Sequence, residues 1–139
     1  MSIPYVTTRT NYFQTTDKEK FKDIVSKMHA GENAVKVFEL ENGYVGFGAY
    51  SSIDGIQGSC DDETCEADYD AMVYELQQIL PDGEAIMIIS SGHEKLRAVW
   101  GDIIIITNKD SQFLTLADIG ITAARKMLSH DDWNTRYEC

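Results

Sequence analysis

No lysine or arginine occurs between Asp54 and Glu84, although these 31 residues hold ten acids: Asp54, Asp61, Asp62, Glu63, Glu66, Asp68, Asp70, Glu75, Asp82 and Glu84. A surface built from them repels phosphate backbones, which excludes direct binding of nucleic acid by this part of the chain. The deficit of bases is local. Residues 1–53 balance six acids against six bases and residues 85–139 seven against six, so ten of the eleven net negative charges fall in the middle segment. Other shortages exclude other classes. Two prolines leave no Pro-rich linker, and a content of 43% apolar and 10% aromatic residues is well above that of disordered chains. The longest apolar run is five residues, far short of the ~20 that a membrane helix needs, and the first ten residues lack a basic stretch followed by an apolar one. Three cysteines, Cys60, Cys65 and Cys139, are too few and too irregular for a secreted disulfide framework. The expectation is one soluble, cytoplasmic domain over residues 1–139, with reduced thiols and no membrane association.

The hydrophobic pattern supplies the elements. Tyr12 and Phe13 place a first strand over 8–14, and Thr16 with Glu19 forms a Thr-x-x-Glu capping pattern ahead of Phe21, Ile24, Val25 and Met28 at helical spacing. Gly31 supplies the stop. Residues 35–40 and 44–50 flank Glu41-Asn42-Gly43 as a hairpin, because both Asn and Gly tolerate positive φ. Gly46 and Gly48 within its second strand mark a bulge or a close approach by another backbone or a ligand. An acidic loop over 53–67 then leads into a second helix with Asp68 as its N-cap and Tyr69, Met72, Val73, Leu76 and Leu80 on one face. Pro81-Asp82-Gly83 ends it. Residues 85–89 and 103–106 are continuous apolar runs, the pattern of central strands covered on both faces. Residues 90–95 read as a polar connection between them, 96–100 as a strand with Gly101 as a bulge, and 112–116 as a further strand. Thr115 and Asp118 cap a last helix through Ser129, with Ile119, Ala123, Ala124, Met127 and Leu128 expected inward. The predicted class is α+β: a largely antiparallel sheet of five to six strands with three helices, mainly on one face, in ferredoxin-like order in the first half. Two fully apolar strands call for cover on the second face as well, and a homodimer is the candidate cover.

Three chemistries fit the acidic tract from Cys60 to Asp70. It is a solvated loop that aids solubility, or a set of carboxylates that imitates the phosphates of nucleic acid and fills a basic groove, or a cluster of oxygens for a divalent ion. The tract lacks EF-hand spacing, so no metal or other cofactor is expected. Cys60 and Cys65 have no second cysteine pair and no converging histidine for zinc, and the surrounding carboxylates suppress their thiolates. Elsewhere the densest set of acid, base and imidazole is Gly92-His93-Glu94-Lys95-Leu96-Arg97. An enzyme would use His93 as general base, Glu94 as its orienter and Arg97 as an anion clamp, facing Gly46 and Gly48; a turn with solvated charges explains the segment equally well. No Walker A loop, Gly-x-Gly-x-x-Gly, Gly-x-Ser-x-Gly or His-Glu-x-x-His occurs.

Four segments carry a resemblance: Arg9-Thr10-Asn11-Tyr12-Phe13, the run YVGFGAYSSIDGI from Tyr44 to Ile56, GHEKLR from Gly92 to Arg97, and the close from Ala124-Arg125-Lys126 to Trp133-Asn134-Thr135-Arg136. Together they resemble small acidic proteins of unknown function carried by phages and conjugative elements of low-GC Gram-positive bacteria. The resemblance implies a mobile-element setting, where small acidic proteins block host restriction or CRISPR nucleases, and supplies no activity or binding residue. The leading expectation is a non-enzymatic interaction protein, a nucleic-acid mimic presenting Asp61, Asp62, Glu63, Glu66, Asp68 and Asp70 to a basic surface of a nucleic-acid-binding protein. The alternative is a small enzyme or ligand-binding domain centred on His93, Glu94 and Arg97.

Overall fold

Tyr5–Thr10 (β1), Lys18–Ser26 (α1), Met28–His29 (β2), Lys36–Glu39 (β3), Val45–Ala49 (β4), Gly55–Gln57 (β5), Ala67–Asp68 (β6), Tyr69–Gln78 (α2), Ile86–Glu94 (β7), Ala98–Ile106 (β8), Ser111–Thr115 (β9) and Leu116–Leu128 (α3) follow in chain order. The computed structural model describes residues 5–31, 33–57 and 67–135. Six strands form one antiparallel sheet in the order β3-β4-β1-β7-β8-β9, and β2-β5-β6 form a second, small one. The class is α+β. Its first four large strands take the split βαβ arrangement, with β1 inserted between the β3–β4 hairpin and β7. β8 and β9 extend the sheet beyond it.

Helix α1 starts one residue later than the Thr-x-x-Glu pattern indicates. Asp17 is its N-cap, accepting from the Lys20 amide at 3.0 Å; a carboxylate there also meets the positive end of the helix dipole. Phe21, Ile24 and Val25 are buried on its inner face. Phe21 meets Phe13 edge to face at 5.6 Å and Phe47 at 6.1 Å. Helix α2 adds Met72 and Leu76, both fully buried, and the sheet adds Ile86, Ile88 and Ile106. The two helices join through the Thr16 amide, which donates to the Ile79 carbonyl at 2.9 Å.

Strand β1 shows why Gly46 and Gly48 are needed. Arg9 pairs with Gly48, but Phe13 pairs with Val45, so β1 carries one extra residue between these points, a bulge. Thr10, 4% exposed, compensates by accepting the Phe47 amide on its Oγ1 at 3.0 Å. Asn11 bridges the other side, with Nδ2 donating to the Ala85 carbonyl and Oδ1 accepting from the Met87 amide. A Cβ on Gly48 would lie 2.8 Å from the Thr8 carbonyl oxygen. The close approach is by backbone.

Residues 90–94, read above as a connection, are strand. β7 and β8 pair over nine positions from Ile86↔Ile106 to Glu94↔Ala98, because a long ladder partners every backbone group that a loop would leave to solvent. Gly101 is no bulge: it faces Ser91 in regular register, and a Cβ there would collide with Leu116 Cδ1. Helix α3 also departs from expectation. It has no buried residue, and Ile119, Met127 and Leu128 are 44%, 86% and 56% exposed. β9 ends at Thr115, opposite Asp102, so α3 begins at the margin of the sheet and packs chiefly on β8 and β9. The opposite sheet face, for which a partner was expected, exposes Met87, Ile89 and Val99.

The core and one glycine give two tests. Phe21→Ala should cost about 3–5 kcal/mol in denaturant unfolding, a large share of the ~5–15 kcal/mol of a typical domain; a loss under about 1 kcal/mol would place Phe21 outside the core. Gly55 has φ +131, and a Cβ on it would meet the Asp68 carbonyl carbon and oxygen at 2.6 Å. Gly55→Ala should therefore destabilise by more than about 1 kcal/mol, read from the same unfolding curves.

Candidate functional site

The expected acidic contacts divide at the boundary of the described residues. Asp61, Asp62, Glu63 and Glu66 lie outside them, as do Cys60, Cys65 and Cys139. Asp68 is the N-cap of α2, its Oδ1 accepting from the Ala71 amide at 3.0 Å. Asp70 is exposed in the first turn of that helix. Pairing of Ile56 with Asp68 and Gln57 with Ala67 brings both ends of the acidic tract beside this N-terminus. Three neighbouring acids have structural partners. Glu75 lies 3.7 Å from the Lys20 ammonium, Asp82 accepts from Asn108 Nδ2 at 2.7 Å, and Glu84 accepts the Gln14 and Ala85 amides. Lys20 is the one cation ion-paired to this sector among the described residues, and an exposed pair of that length contributes at most ~1 kcal/mol. The sector stays negative.

His93, Glu94 and Arg97 are at the tip of the β7–β8 hairpin. Lys95 turns the chain with φ 52, and the Arg97 amide donates to the Glu94 carbonyl at 3.2 Å. His93 is exposed and stacks on Tyr5 at 5.3 Å, 25° between planes. Consecutive strand residues point to opposite faces, so His93 and Glu94 are not presented as a base and its orienter. β1 lies between β7 and the glycines of β4.

The arrangement with the most chemistry was not visible as a motif. Thr8 pairs with Ser90, Ser90 with Asp102 and Asp102 with Thr115, so four polar side chains stand in one row across four adjacent strands, each ~4.8 Å from the next. The row crosses the face that elsewhere carries Ile86, Ile88, Ile104 and Ile106. Thr8 is 1% exposed, and its hydroxyl shares a 2.9 Å hydrogen bond with that of Ser90. Tyr69, from the first turn of α2, reaches the same place with a buried hydroxyl that has no hydrogen-bond partner among the described residues. Burial, reinforced by the Asp102 carboxylate, pushes the Tyr69 phenol up to about 12. Burial also raises Asp102 above the usual carboxylate value. No described lysine or arginine pairs with it.

Two cavities share Trp100 and Asp102 as walls. One, about 140 Å³, is lined also by Thr8, Ser52, Tyr69 and Ser90. The other, about 470 Å³, follows the edge of β8 past the end of β9, bounded by Val99, Leu116, Ile121 and Trp133. Arg125 Nε holds the Trp133 carbonyl at 2.7 Å. No family model, curated protein or solved structure matches this chain. Its chemistry is therefore read from these side chains. An apolar hollow with a few convergent polar groups and an unpaired carboxyl is the usual form of a small-ligand site. Among the described residues no three His, Cys, Asp or Glu side chains gather for a metal, and no helix is long and apolar enough to cross a membrane.

The partly buried carboxyl and phenol lead to two expectations. The folded state holds its Asp102 proton to higher pH than the ordinary 3.8, so the contribution is most favourable at low pH and declines as pH rises through the raised value. Asp102→Asn should melt above the parent at pH ~7, with the gap closing near pH ~3; a lower melting temperature at both would show the carboxylate to be stabilising. Tyr69→Phe removes a buried hydroxyl without a partner and should be neutral or stabilising by up to about 1 kcal/mol in denaturant unfolding. A loss above about 1 kcal/mol would show that the hydroxyl is satisfied.

Proposed function

We propose that this chain is a non-enzymatic interaction protein whose acidic sector occupies a basic surface of a nucleic-acid-handling protein. The observation that carries this reading is the segregation of charge: ten acids and no base within 31 residues. Among the described members of the sector, Asp70 in the first turn of α2 is exposed and ion-paired to no described residue. Carboxylates set along a loop and a helix end offer a basic groove the same sign of charge as a phosphate backbone, and they steer encounter over distances that salt shortens. The same sign excludes nucleic acid itself as the partner. The resemblance to small acidic proteins of mobile elements favours a restriction or CRISPR nuclease of the host as the basic partner, and a cytoplasmic setting with it.

A panel of such nucleases tests this directly. The parent chain should inhibit DNA cleavage by at least one member, more weakly as salt rises and the screening length falls to ~8 Å or below. Replacing Asp61, Asp62, Glu63, Glu66 and Asp70 together by Lys should lower the affinity by at least about tenfold, with circular dichroism unchanged. Inhibition that survives both the reversal and high salt would contradict the charge mimicry. The enzymatic alternative at His93, Glu94 and Arg97 gains no support from their placement on opposite faces of an exposed hairpin tip.

A further inference from the structure

We propose that the cleft at Asp102 binds a primary ammonium group carried on a short apolar stem. This is independent of the acidic-surface reading, since Asp102 lies on the inner face of the sheet and outside residues 54–84. The chemistry of the walls selects the ligand. A partly desolvated carboxylate favours a cation over an anion or a neutral group, and no described residue supplies one. An anionic ligand would meet Asp102 unshielded. A divalent ion would need several carboxylate oxygens, whereas Asp102 is the one acid among the residues lining either cavity. A neutral polyol would satisfy the hydroxyls and leave the carboxylate unneutralised. An ammonium group has three donors and no acceptor, and the site offers Asp102 together with hydroxyl oxygens of Thr8, Ser52, Ser90 and Tyr69 as acceptors. The Tyr69 hydroxyl is the buried one left without a partner. Trp100 is part of the cavity wall, and an aromatic ring there adds to the attraction for a cation. The stem then lies in the smaller cavity against Ile53, Met72, Ile88 and Ile104, where apolar area leaves water.

The probes are n-butylamine and 2-phenylethylamine, with n-butanol and butyrate as uncharged and anionic controls, titrated into the full chain at pH ~7 and followed by tryptophan fluorescence and by calorimetry. Saturable amine binding with a dissociation constant on the order of 1 mM is expected for ligands this small, at least about tenfold tighter than either control. Asp102→Asn should lose at least about tenfold in amine affinity. Its melting temperature, expected to rise, separates loss of the site from loss of the fold. Tyr69→Phe should weaken the amine severalfold and leave butanol unchanged. Nα-acetyl-lysine methylamide distinguishes the source of the ammonium: binding as tight as that of butylamine would place a partner's lysine side chain in the cleft, and weaker binding a free amine. The proposal is overturned if butanol binds as well as the amine, if Asp102→Asn binds the amine unchanged, or if ~10 mM amine gives no saturable signal.

Discussion

The antiparallel register of β1, β7 and β8 is the constraint from which the rest of this molecule follows. Strand side chains alternate between faces, so a slip of one residue between β7 and β8 would turn every inward isoleucine outward. With Ile86 opposite Ile106 and Ile88 opposite Ile104, the apolar set meets α1 and α2. The same register then leaves Ser90 and Asp102 no choice but the inner face, where Thr8 and Tyr69 already stand. A polar row in a buried layer costs stability unless its members bond to one another or to something else. Thr8 and Ser90 do so; the Tyr69 hydroxyl is buried without a described partner, and the partly exposed Asp102 has no described cation beside it. That imbalance, beside the smaller hollow, is what the ligand proposal rests on.

The acidic sector is coupled to the same framework at a different point. β5 and β6 pair as a two-stranded stem at the foot of the acidic tract, and Gly55 allows the Asp68 backbone to approach closely enough for that pairing. Asp68 then caps α2, whose first residue is Tyr69. One helix start thus ends the acidic tract with a cap and, at the next residue, sends a side chain into the cleft. The two surfaces are proposed to serve different chemistries. A run of ten acids without a base suits a large basic partner met through long-range attraction, whereas one partly buried carboxyl among hydroxyls suits a small cation met at contact.

Much of the fold was legible because its elements announce themselves locally. The Asn42-Gly43 turn, the Asp68 cap, the 3.6-residue pattern from Phe21 to Val25 and the Thr115 cap each depend on neighbours in sequence. What was not legible depends on neighbours in space. Ser90 and Asp102 interrupt apolar strands, so a reading from hydrophobic runs ends one strand at Ile89 and starts the other at Ile103. The nine-residue ladder overrides that pattern, and the two polar residues then fall inside it. A lone acid beside Val99-Trp100-Gly101 and Ile103-Ile104-Ile105-Ile106 was the available signal. The exposed stripe of α3 has a similar cause: its periodicity is that of a covered helix, but β9 stops at Thr115 and leaves it at the sheet margin. For the acidic tract, the sequence carries the charge count, while Asp68 and Asp70 are the only members of the expected contact set that the described residues include.

Since register places Asp102 in a partly desolvated position, its own titration is the most direct measurement. The side-chain carboxyl carbon of Asp102 can be followed by nuclear magnetic resonance from acid to neutral pH in the unliganded chain. A midpoint above the ordinary 3.8 is expected from burial without a paired cation. A midpoint at or below that value would mean that Asp102 is solvated or already neutralised, and the cleft would lose its claim to be a site.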